Sequence, residues 1–85
     1  MWRENTAKRM DAVAKKGDAL TIIEVRDLCT WQTIGQVLGY QTLAQEEFAD
    51  DLWTRPLVVC SALNSGVEPA LIAQRISYYV LPKGP

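Results

Sequence analysis

The run Leu57-Val58-Val59-Cys60-Ser61-Ala62-Leu63 carries no charge, and in a chain of 85 residues a segment of that kind has to be interior. A domain this small buries only about 60 to 65% of its unfolded surface, so one central element takes up much of the available core. Thr54 stands ahead of the run as a cap. Pro56 suits a first helical turn, where its missing N–H would be unpaired in any case, and Asn64-Ser65-Gly66 ends the segment. A helix apolar on all sides, and therefore buried, is the expectation.

The flanking segments extend the same reading. Residues 3–16 form a first helix, thin in apolar content (Ala7, Met10, Val13, Ala14) and stopped by Gly17, so 1–16 is a peripheral helix or arm. Thr21 and Glu24 stand in the Ser/Thr-x-x-Glu relation of a capping box, which favours a helix over 22–29. The same spacing recurs at Thr33 with Gln36 and at Thr42 with Gln45. Pro69 opens a last helix holding Leu71, Ile72, Ile76, Tyr79 and Val80, stopped at Leu81-Pro82. The expected fold is all-α, a single domain over 1–85 built as a compact bundle of five or six short helices. An α+β fold is the runner-up, because Leu20 to Val25, Leu57 to Cys60 and Ile76 to Leu81 are rich in β-branched residues.

Charge is segregated: residues 1–16 sum to +3, 17–53 to −6 and 54–85 to +2, within a net −1. No apolar run approaches the ~18 to 20 residues of a membrane span. The N-terminal Met1-Trp2-Arg3-Glu4-Asn5 lacks the apolar stretch of a signal peptide, so a cytoplasmic location is the default. Cys29 and Cys60 lie in apolar surroundings and are expected in the core. With no histidine and no Cys-x-x-Cys, neither a zinc site nor a thiol redox motif is available, and no cofactor is expected.

Thr33-Ile34-Gly35-Gln36-Val37-Leu38-Gly39-Tyr40 reads as a short helix closed by glycine. Together with the helix expected from Thr42 to Trp53, this partly resembles a helix-turn-helix over about twenty residues, with Gly35, Leu38, Gly39 and Phe48 in the packing positions. The second helix carries Glu46, Glu47, Asp50 and Asp51 and no Lys or Arg, which phosphate would repel. With Ala44, Phe48 and Leu52 turned inward, Glu46, Glu47 and Asp50 face solvent and Asp51 lies at the border.

The carboxylate pairs Glu46 with Asp50 and Glu47 with Asp51 have no deep cleft to flank in so small a chain, and catalysis is not expected. The function expected is that of a small non-enzymatic regulator, an inhibitor or adaptor, that binds a protein partner through Glu46, Glu47, Asp50, Asp51 and Trp53. A homo-oligomer is compatible with that reading. The alternative is a helix-turn-helix-like DNA-binding regulator in which Arg3, Lys8, Arg9, Lys15 and Lys16 meet phosphate while Gln41 and Thr42 read bases.

Overall fold

The computed structural model describes residues 11–47 and 53–82 and is an α+β fold rather than a helical bundle. In chain order it contains β1 (Ala12–Lys16), β2 (Ala19–Cys29), α1 (Trp31–Glu47), β3 (Trp53–Leu63), α2 (Val67–Ala73) and β4 (Ser77–Val80). The sheet order is β1-β2-β3-β4; β1 is antiparallel to β2, and β2, β3 and β4 run parallel.

Each departure from the expected bundle has a local cause. Gly17 does not end a helix. At φ 61 it supplies the left-handed backbone of a two-residue Gly17-Asp18 turn, which sets Lys16 opposite Ala19. The segment expected as a helix over 22–29 belongs to β2, where Leu20, Ile22 and Glu24 are buried on one side in strict alternation. The charge-free run is β3 and not a helix. Its interior position is as expected, but parallel strands covered by crossover helices are as apolar as buried helices, so pattern alone does not separate them. Pro56 is tolerated inside β3 because β4 begins to pair only at Leu57. The last helix stops at Ala73, and Ser77 to Val80 form β4.

In the centre, α1 passes through Gly35 and Gly39 without a break, so no helix-turn-helix forms. Its start is capped by Thr30, whose Oγ1 accepts the Thr33 N–H at 3.4 Å while Thr33 Oγ1 accepts the Thr30 N–H at 3.1 Å. This reciprocal pair does the work of a capping box, one turn earlier than the spacings suggested.

Parallel neighbours need a crossover, and the two crossover helices α1 and α2 share one buried layer on the same face of the sheet. Leu20 and Ile22 of β2, Val58 and Cys60 of β3, Ile34, Val37 and Ala44 of α1, and Val67 and Leu71 of α2 join Cys29 and Ile76 in one buried cluster. On the opposite face Ile23, Val25, Leu57, Val59 and Tyr79 line up in register, and among the described residues no element covers them.

Ile22 is fully buried between sheet and helices, whereas Ile72 is 64% exposed on α2. Ile22→Ala is expected to cost about 2 to 4 kcal/mol in urea unfolding. Ile72→Ala should fall within about 0.5 kcal/mol of the parent.

Candidate functional site

At the β1 side of the molecule, strand pairing brings Asp11 to Glu24 and Arg26 of β2, and α1 brings Gln36 to the same place. Ala12 pairs with Ile23, so Asp11, one residue before β1, falls beside Glu24 and Val25. Its Oδ2 accepts the Val25 N–H at 2.8 Å and Arg26 Nη1 at 2.9 Å. Arg26 Nη1 also donates to the Val25 carbonyl at 2.7 Å, and Nη2 donates to Glu24 Oε2 and to Gln36 Oε1, the latter at 2.9 Å. One guanidinium is thereby wrapped by four oxygens: two carboxylate, one main-chain carbonyl and one carboxamide.

Glu24 is the anomaly. It occupies a core position of β2 opposite Val58, is 0% exposed, and its Oε1 has no hydrogen-bond partner among the described residues. Burial pushes its pKa up and the nearby Asp11 carboxylate adds to the shift, while Arg26 only partly offsets them. A buried carboxylate with one free oxygen is costly in any fold, and such groups concentrate at functional sites.

Beside the cluster, Arg26, Leu28, Thr30, Gln32, Thr33 and Gln36 line an open cleft of about 260 Å³. Among the described residues no three His, Cys, Asp or Glu side chains converge as a metal cage. Two carboxylates and a carbonyl are nonetheless a hard-oxygen donor set. Mg²⁺ typically takes one or two protein carboxylates and completes its shell with water and substrate phosphate.

The residues singled out from sequence are scattered by comparison. Glu46 is exposed and Glu47 half-buried near the end of α1, and Glu46 borders a cleft of about 380 Å³ with Gln41, Thr42, Gln45 and Thr54. Asp50 and Asp51 lie outside the described residues, as do Arg3, Lys8 and Arg9. Trp53 opens β3 half-exposed, with the Arg55 guanidinium 4.6 Å from its ring centre. Lys15 and Lys16 are exposed on β1, a strand and not a basic helix. Gln41 donates to the Thr54 carbonyl at 3.1 Å and the Thr42 hydroxyl to the Leu38 carbonyl at 3.0 Å, so both side chains are engaged within the fold. Cys29 and Cys60 are buried free thiols, each with its pKa raised chiefly by burial.

Sequence reasoning missed Asp11, Glu24, Arg26 and Gln36 as a group. The available signal was Glu24 itself: in a strand it shares a side with Leu20 and Ile22, which points a carboxylate inward.

Because folded Glu24 keeps its proton to higher pH than the unfolded chain, its favourable contribution is present below the unfolded value near 4.5. It is lost as pH rises through the raised folded value. Urea unfolding of the parent should therefore lose stability relative to Glu24→Gln across that window, and parallel pH profiles would contradict the assignment. No protein-family model, no curated protein and no solved structure matches this chain.

Proposed function

We propose that Asp11, Glu24, Arg26 and Gln36 form a divalent-cation and phosphate-ester site, and that the chain hydrolyses a phosphodiester of nucleic acid. The observation that carries this reading is the fully buried Glu24 carboxylate with an unpartnered Oε1, set beside Asp11. Asp11, Glu24 and the Val25 carbonyl would hold the cation. A bound divalent cation supplies Lewis-acid polarisation of the phosphoryl group. Arg26 pairs with a phosphate oxygen, for which its planar fork is suited, and Gln36 orients Arg26. Hydrolysis adds a water oxygen to phosphorus and breaks the P–O bond to the leaving sugar oxygen, which takes up the water proton. Lys15 and Lys16, exposed on the strand that Asp11 leads into, favour a polyanionic substrate.

The sequence pointed instead to a non-enzymatic protein binder, because the only carboxylate pairs visible by spacing were those of the Glu46 to Asp51 segment. Asp11 and Glu24 become neighbours only through the pairing of β1 with β2. Mn²⁺ binding by calorimetry, and cleavage of single- and double-stranded oligonucleotides with Mg²⁺ or Mn²⁺, test the reading. Asp11→Asn and Glu24→Gln should each lower Mn²⁺ affinity and cleavage more than about 100-fold, the upper end of what substitutions outside the first ligand shell cost. A parent protein that binds no Mn²⁺ overturns it.

Protein binding has its own support in the sheet face that no element among the described residues covers, and the occupant that fits is a second copy of this chain. Val25, Trp53 and Tyr79 are each about half exposed there, and Arg55, stacked on Trp53, is the charge that accompanies them on β3. At about 3.3 Å per residue and about 4.8 Å between strands, the face measures about 500 Å². Two copies would thus cover about 1,000 Å², the lower bound for a specific interface. Aligned packing of two such faces is a standard way of burying them. Sedimentation equilibrium should show a dimer at micromolar concentration and a monomer for Val25→Lys with an unchanged circular dichroism spectrum. A parent chain that stays monomeric at about 1 mM, a concentration at which even a weak specific pair associates, removes this reading.

A further inference from the structure

The side chain that completes the cluster is itself a cation, and it stands where the divalent ion would have to go. Arg26 reaches Asp11 Oδ2, the Val25 carbonyl, Glu24 Oε2 and Gln36 Oε1 with two nitrogens. Three of those four oxygens are the ligands assigned to the ion. A divalent cation needs them at about 2.0 to 2.6 Å, which leaves no room for N–H donors directed at the same lone pairs. Ion and guanidinium therefore exclude one another.

We infer that Arg26 is a built-in stand-in for the divalent cation: it holds the ligand oxygens together in the free protein and swings into the adjacent cleft, toward the substrate phosphate, when the ion enters. The inference rests on the function proposed above and adds the mode of loading. Three observations support it. The Arg26 side chain is 35% exposed and that of Asp11 38%, so half of the cluster already faces solvent and can open without disturbing the core. Glu24 is 0% exposed and stays fixed, so the ligand that must not move is the one anchored in the sheet. The cleft of about 260 Å³ is lined by Arg26 itself together with Gln36 and Thr30, which gives the displaced guanidinium polar surroundings.

The arrangement also accounts for the charge balance. Once both carboxylates are ionised, two of them against one guanidinium leave the free cluster short of one positive charge. Entry of a divalent ion, with Arg26 displaced but still alongside, leaves one positive charge in excess, and a phosphate diester paired with Arg26 then restores balance. Substrate and ion are thus expected to bind cooperatively, with Arg26 as the group that couples them.

Titration of the full chain with Mg²⁺, followed by the side-chain NMR signals of ¹⁵N-labelled arginine, tests displacement without any substitution. The Arg26 guanidinium signals should be sharp and protected in the free protein and lose that protection as Mg²⁺ binds. In parallel, Arg26→Met should tighten Mn²⁺ binding at least tenfold by calorimetry, whereas Arg75→Met, which removes a charge just before β4 at the other edge of the sheet, should change it less than threefold. If the parent binds Mn²⁺ while the Arg26 signals keep their protection, or Arg26→Met binds no tighter, displacement is wrong and the proposed function stands. If neither protein binds Mn²⁺, the proposed function fails and the inference with it.

Discussion

Everything in this fold follows from having enough apolar side chain to bury one face of one sheet. Ile22, Val58, Cys60, Val37 and Leu71 meet in a single layer between sheet and helices, while Ile23, Val25, Leu57 and Val59 lie on the other face of the sheet. Parallel strands need a crossover between them, and the right-handed twist of strands fixes its hand. Two successive crossovers along the order β2-β3-β4 then place both helices on the same side. The position of α1 is a consequence of that constraint. Capped by Thr30 at the end of β2, it starts over the β1–β2 side and brings Gln36 to Arg26 one full turn after Thr33.

Within that layer Glu24 is the residue that packing does not ask for. Its neighbours along the same side of β2, Leu20 and Ile22, are what the core selects, and an aliphatic residue at 24 would continue the pattern without a desolvation cost. Replacing buried ionic groups by apolar ones of similar size is often neutral or stabilising. The carboxylate is nevertheless matched by Asp11 across the strand pair and by Arg26 two residues along, an investment that stability alone does not explain. The pKa displacement has the same origin: the site is polar in composition but placed where water is excluded.

The legible part of the sequence was the identity of the core rather than its form. Leu57 to Leu63 lies in the sheet, Cys29 and Cys60 are buried, and Leu71 and Ile76 are core residues, whereas Ile72, Tyr79 and Val80 of the same stretch are exposed. Helix and strand were confused wherever the period was ambiguous. Ile22-Ile23 and Val58-Val59 are runs buried or half-buried on both sides, and such runs fit either state. Thr21 with Glu24 satisfied a capping rule that operates only if the helix exists, and tertiary pairing with β1 and β3 outweighed it. Gly17-Asp18 is also a hairpin signal, yet as a lone glycine after a basic stretch it reads equally well as a helix stop. The site was illegible for a related reason. Asp11 and Glu24 are thirteen positions apart, and only the register fixed by the Gly17-Asp18 turn sets them side by side.

The two faces of the sheet differ in chemistry, and the strand alternation keeps them apart. Glu24 points into the helix-covered layer while Ile23 and Val25, its chain neighbours, point to the open side, so a single residue of register separates the charged cluster from the apolar face. Covering the open face therefore leaves the edge at Asp11 and the cleft beside Arg26 accessible. The coupling runs through the backbone: the Val25 N–H and carbonyl both belong to the cluster, while the Val25 side chain lies in the open face. Packing that holds Val25 rigid from below thereby also holds the Val25 carbonyl in place beside Arg26. An association through the sheet is for that reason expected to sharpen the proposed cation site rather than compete with it.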